Sequence, residues 1–184
     1  MIFSKTIGAA ALAVALTTAG FVAVEAASGG ISDAQPLAAA TYDHMSVNVT
    51  DYDAALEWYR DKLGFEVAVE WRVEALGGKQ LAYLDLGETR IEIVAADDTA
   101  SRQAPPEDFS EHFNRAGYGH LAFAVNDVDR VLDELREKGV PTFVRGETYP
   151  LDGTPFERRV GFIMDIEGNV IEFAEPLRLR AEAE

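Results

Sequence analysis

The sequence predicts an α+β fold: two pseudo-symmetric βαβββ modules forming a concave, partly closed mixed sheet with helices outside. Three observations carry that expectation. A histidine-led apolar strand occurs twice, as Asp43-His44-Met45-Ser46-Val47-Asn48-Val49 and as Gly119-His120-Leu121-Ala122-Phe123-Ala124-Val125. Setting His44 on His120 also aligns Val49 with Val125, Asp51 with Asp127, Asp53 with Asp129 and Leu56 with Leu132. Each half then closes on a short strand containing Ile-Glu, Arg90-Ile91-Glu92-Ile93-Val94 and Val170-Ile171-Glu172-Phe173-Ala174. Two long copies are too few for a solenoid, so a duplicated module within one domain is expected.

The chain of 184 residues suits one domain with a sizeable core. Its formal charge of −16 argues against nucleic acid or an anionic membrane surface as partner. With no cysteine, disulfides and thiolate metal sites are excluded. Lys5 and the Ala/Leu/Val/Gly run over residues 7–24 lead to Val24-Glu25-Ala26, small residues of the kind a signal peptidase needs. A signal peptide over residues 1–26 is therefore expected, with a periplasmic or secreted product and no membrane association after cleavage. The run has the length of a membrane anchor, but it is rich in Ala, Gly and Thr and lacks a basic stop signal. Residues 27–40 read as a flexible Ser/Gly/Ala/Pro-rich lead-in to a domain over residues 41–177.

The first module, about residues 43–95, opens with the His44 strand. Thr50-Asp51 offers a helix cap, and residues 54–63 have helical periodicity closed by Gly64, with Leu56, Tyr59 and Leu63 on the apolar face. Residues 65–73 alternate, placing Phe65, Val67, Val69, Trp71 and Val73 on one side. The Gly77-Gly78 turn leads to a strand over residues 79–86, and Gly87-Glu88 turns into the Glu92 strand. Residues 96–118 break the pattern, with a short helix after Pro105-Pro106 through Phe109 and Phe113. His112 there reads as a surface histidine, on a linker of the kind that can act as a lid. The second module, about residues 119–175, repeats the course. It has a strand at residues 120–125, a helix over 128–138 closed by Gly139, a short strand over 142–145 and a longer one over 156–165. The turn Glu167-Gly168-Asn169 then leads to the Glu172 strand. Residues 178–184 form a charged tail, expected to be solvated.

In the histidine and glutamate strands, bulky residues lie opposite the polar ones. Ile91 and Ile93 oppose Glu92, Ile171 and Phe173 oppose Glu172, and Met45, Val47 and Val49 oppose His44. If the polar faces close on a common concavity, His44, Glu92, His120 and Glu172 meet. Imidazole and carboxylate suit a divalent ion such as zinc, nickel, manganese, cobalt or iron(II). Four such ligands in an octahedral site leave two positions for water or a bidentate small-molecule substrate.

The repeat, with Gly117-Tyr118-Gly119-His120-Leu121-Ala122-Phe123 and Asp165-Ile166-Glu167-Gly168-Asn169-Val170-Ile171-Glu172-Phe173, resembles the vicinal oxygen chelate superfamily. That group includes glyoxalase I, methylmalonyl-CoA epimerase, extradiol dioxygenases, and fosfomycin and bleomycin resistance proteins. The resemblance implies paired βαβββ modules, a metal at these four positions and often a homodimer. The full His-Glu-His-Glu set is similar to glyoxalase I-like lyases, in which the metal chelates adjacent oxygens and stabilises an enediolate while a glutamate moves the proton. Glu172 is the first choice for ligand and base, and Glu92 the alternative. Glyoxalase I often carries an arginine and an asparagine for the glutathione carboxylate where this chain has Asn48 and Ala96, which argues against glutathione. The epimerase's usual Pro-Lys turn is replaced here by residues 165–169. Two further readings stay open. One is an iron(II) dioxygenase using a two-His-one-carboxylate triad. The other is a metal-free module that sequesters a small molecule between Trp71, Tyr83, Phe156 and Phe162, with Arg158 or Arg159 meeting an anionic group.

Overall fold

Each half folds into a mixed sheet with the same strand order. In the first, β1 (Met45–Val49), β2 (Glu66–Val73), β3 (Lys79–Leu86) and β4 (Thr89–Ala95) lie in the order β1-β4-β3-β2, with β1 parallel to β4. In the second, β5 (Leu121–Ala124), β6 (Thr142–Pro150), β7 (Phe156–Met164) and β8 (Val170–Ala174) lie in the order β5-β8-β7-β6, with β5 parallel to β8. A parallel pair needs a crossover, supplied by α1 (Tyr52–Trp58) and α3 (Val128–Glu137), while a short α2 (Phe109–Asn114) belongs to the linker. The computed structural model describes residues 40–96 and 104–180. The apolar run, its cleavage position and most of the lead-in lie outside these residues. Among the described residues no helix is long and apolar enough to cross a membrane.

The aligned aspartates act alike. Asp51 accepts a hydrogen bond from the Ala54 N–H at 3.0 Å and Asp127 one from the Arg130 N–H at 2.9 Å, so each caps its helix. The first helix then widens into a π turn over Tyr59–Leu63 before Gly64. Gly64 and Gly139 take left-handed φ angles of 81° and 82° to end their helices.

The modules join through their helix sides. One core contains Val47, Val49, Ile91 and Ile93 from the first sheet with Ala55 and Tyr59, and Ile163, Ile171 and Phe173 from the second sheet with Val128, Leu132 and Leu135. α3 lies close on β7, because a Cβ at Gly161 would stand 2.6 Å from Leu132 Cδ1. Polar latches reinforce the join. The Tyr59 hydroxyl donates to Asp165 at 2.6 Å, and the Thr50 N–H and hydroxyl each donate to Glu167 at 3.0 Å. Lys62 and Lys138 each donate from Nζ to the other's backbone carbonyl, at 2.7 and 3.0 Å.

Three local expectations change. Residues 65–73 do not keep one face inward: the register shifts between Val67 and Val69, so Val67 pairs with Leu84 on the core side and Val69 with Tyr83 on the other. β6 runs nine residues rather than four. Two register shifts and Gly146 break its alternation, which hides its length from a period-2 reading. The tail begins as a two-residue strand, β9 (Arg178–Leu179), paired with Phe156 and Glu157.

Candidate metal centre

The four expected ligands stand as two pairs at matching places. Ser46 pairs with Glu92 across β1 and β4, and Glu92 with Tyr83 across β4 and β3. Likewise Ala122 pairs with Glu172, and Glu172 with Phe162. Each histidine precedes the small residue of its row by two positions, so it shares the glutamate's face. His44 Nε2 lies 3.7 Å from Glu92 Oε2, and His120 Nε2 lies 2.9 Å from Glu172 Oε2. Two donors at about 2.1 Å from one ion and at a right angle stand about 3 Å apart, so the His120–Glu172 pair matches adjacent coordination positions and the His44–Glu92 pair stands wider.

The pairs are not joined within one chain. Their faces lie away from the shared core, and among the described residues no group of three or more His, Asp or Glu is placed to hold a metal ion. The sequence predicts a concavity shared by the four residues and leaves open whether one chain or two supply it. Within this chain the helix sides of the sheets meet, because that is where the bulky residues of all four strands point.

The surroundings of the pairs differ. His44 packs on Tyr83 with ring centroids 5.2 Å apart, Tyr83 packs on Trp71 at 4.7 Å, and Arg90 lies over Tyr83 at 5.1 Å. Arg90 is itself clamped by Asp85 through hydrogen bonds of 2.7 and 2.8 Å, and His44 Nδ1 contacts Asp43. On the second sheet, α2 covers the polar face. Phe109 packs on Phe162 at 5.1 Å and on Tyr149 at 6.0 Å, forming a small second core with Val160, Val170 and Ala174.

That roof brings in a residue the sequence reading placed on the surface. His112 is buried, at 6% exposure, with Nε2 3.0 Å from His120 Nδ1. Burial pushes its pKa down, and the neighbouring His120 and Arg115 push the same way. The signal was legible: Phe109, His112 and Phe113 fall at i, i+3 and i+4, one helical face.

A family model for the glyoxalase/bleomycin resistance protein/dioxygenase superfamily matches residues 41–173. The chain belongs to that superfamily. YwkD of Bacillus subtilis, an uncharacterized protein, is 32% identical over 133 residues, covering 72% of this chain and 94% of YwkD. A glyoxalase family protein from Enterococcus faecalis superposes with a TM-score of 0.59 at 28% identity, covering 74% of this chain and 98% of that one. FosX, a fosfomycin resistance protein of Listeria monocytogenes solved with manganese(II) and 1S,2S-dihydroxypropylphosphonic acid, shares the fold. Its TM-score is 0.50 at 16% identity, covering 73% of this chain and 90% of FosX.

Within this superfamily fold, the other singled-out residues separate into two groups. Trp71 and Tyr83 are half-buried beside His44, on the face that carries Glu92. Phe162 is buried under α2, and Phe156 is tied to β9. Arg159 turns to the helix side, where it grips Asp129 at 2.7 and 3.0 Å, and Arg158 donates to the Glu175 carbonyl at 2.9 Å.

Proposed function

We propose that this protein is an exported, glyoxalase-like lyase or isomerase that uses a divalent metal on a small substrate with adjacent oxygens. In this proposal its metal centre is shared between two copies of the chain. The observation that supports it is the repetition of one histidine–glutamate pair at one register position in both modules. His44 and Glu92 of one copy and His120 and Glu172 of the other supply two imidazoles and two carboxylates, a donor set suited to zinc, nickel, manganese, cobalt or iron(II). A two-fold dimer makes two such centres. The exposed aromatics Phe113 and Tyr118 beside His120 offer apolar surface for the second copy to cover.

When bound, a divalent ion at these residues acts as a Lewis acid on the adjacent oxygens of the substrate. The chain's own part is proton movement. Glu172 takes a proton from the carbon beside those oxygens and returns it. Its Oε2 lies 2.9 Å from His120 Nε2, and Phe162 and α2 pack on its face of the sheet, while its side chain is 14% exposed against 16% for Glu92. Glu92 is the alternative base. Export rests on residues 7–24 and Val24-Glu25-Ala26, and amino-terminal sequencing of the protein from the periplasm or medium should begin at Ala27.

The test is elemental analysis of the purified mature protein with the His120→Ala and Glu172→Gln variants. About one zinc, nickel, manganese or cobalt per chain, lost in both variants, is the expected result. Iron accompanied by oxygen consumption would replace this reading with a dioxygenase. No metal after incubation with micromolar excess would leave a small-molecule binding module.

A further inference from the structure

We infer that His112, carried by the linker helix onto the second sheet, is the positioning residue that holds the ring of His120 in the metal centre and pairs its Nδ1 in either tautomer. The inference rests on the metal-centre reading above and adds a residue to it.

His120 has two hydrogen-bonding edges, and both are engaged. Nε2 faces Glu172 at 2.9 Å and Nδ1 faces His112 Nε2 at 3.0 Å. The two ring nitrogens point away from each other, so His112 and Glu172 flank the ring instead of converging on one point. His112 is thereby excluded as a third ligand on an ion held by Nε2 and Glu172. Its place is behind the ligand.

The protons explain why a histidine stands there. A carboxylate only accepts, so in the metal-free protein neutral His120 carries its proton on Nε2. Nδ1 must then accept, and His112 donates from Nε2. An ion at Nε2 needs that atom's lone pair, which moves the ring proton of His120 to Nδ1 and requires an acceptor at His112 Nε2. Imidazole can donate or accept at that atom by changing tautomer, which an arginine or lysine cannot. Metal-bound histidines generally hold their second nitrogen with such a partner.

The scaffold holds His112 in place. Asp108 caps α2 through the Glu111 N–H at 2.8 Å, and Phe109 locks the helix onto Phe162. His44 is arranged differently. Its Nδ1 contacts Asp43, a carboxylate that can take the Nδ1 proton's hydrogen bond when Nε2 holds an ion, and its Nε2 stands 3.7 Å from Glu92, beyond hydrogen-bond reach.

The experiment reads imidazole tautomers by long-range nitrogen–proton NMR of the full mature chain, alone and with zinc(II), and measures zinc affinity by chelator competition. His112→Phe keeps the packing volume without a hydrogen bond, and His112→Gln keeps a group that can donate or accept. In the wild type, His120 should carry its proton on Nε2 without zinc and on Nδ1 with it. His112→Phe should weaken zinc binding about 10–100-fold while retaining the wild-type circular dichroism, and His112→Gln should recover most of the loss. Wild-type affinity in His112→Phe, or equal losses in both variants, overturns the inference alone. A wild type that takes up no zinc overturns the metal-centre reading and this inference with it.

Discussion

The two histidine–glutamate pairs occupy the same place in the same ladder and sit in different surroundings. Across the ladder from Glu92 stands Tyr83, half-buried and layered between Trp71, His44 and Arg90. Across from Glu172 stands Phe162, 1% exposed beneath Phe109. The duplicated backbone sets where the donors point and how far they are screened, with Glu92 16% and Glu172 14% exposed, and the covering segment sets which side chains surround them. In the proposed dimer each centre then combines one half roofed by α2 and His112 with one half lined by Trp71 and Tyr83.

The comparison breaks outright if one chain can build the site from its own two halves. His44→Ala and His120→Ala chains, each empty of metal alone, should regain it when mixed and allowed to exchange subunits. A mixed dimer carries one centre with both substitutions and one with neither. Random pairing should therefore restore about a quarter of the wild-type metal. Zero restoration from subunits shown to exchange would mean that each centre belongs to one chain.

The next contrast is in stability. Phe162→Ala removes a fully buried ring from the core that fastens α2, and a loss of about 3–5 kcal/mol is expected in chemical denaturation. Tyr83→Ala, at the matching ladder position, should cost about 1–2 kcal/mol, because its ring is partly in water already. Equal losses would show that α2 does not distinguish the two faces.

Much of this could be read from the chain. The repeat carried the two sheets, the aspartate caps at 51 and 127, and the glycine stops at 64 and 139, because each depends on local chemistry at a fixed spacing. The two half-sites followed from the same alternation. What failed to appear depended on long-range choices. The pattern shows that Ile91 and Ile171 face away from the glutamates, but not that these two faces bury each other. The bulge near Ala68 and the shifts around Gly146 reverse faces without a warning in periodicity. His112 was visible as part of a helical stripe, but the sheet face under that stripe was not.

The join between modules is also uneven, and Tyr59 shows it most clearly. In the alignment that sets His44 on His120, Tyr59 corresponds to Leu135, so only the first helix sends a hydroxyl across the join. Burial first and then the Asp165 carboxylate push the Tyr59 hydroxyl well above its ordinary range. An unfolded tyrosine ionises near pH 10, so above that value the unfolded chain releases a proton that the folded chain keeps. Stability should be fully present below about pH 10 and decline as pH rises further. Tyr59→Phe should cost about 1–2 kcal/mol at neutral pH, the smaller end for a bond to a charged group, because Asp165 keeps the Glu167 and Asn169 N–H donors. The same variant should flatten the alkaline decline, followed by denaturation at stepped pH alongside tyrosinate absorbance. Tyr52, also raised by burial and by Glu70, is the control, because it lies within the first module. If Tyr52→Phe flattens the decline and Tyr59→Phe does not, the alkaline weak point lies inside one module and the join is not where the fold opens.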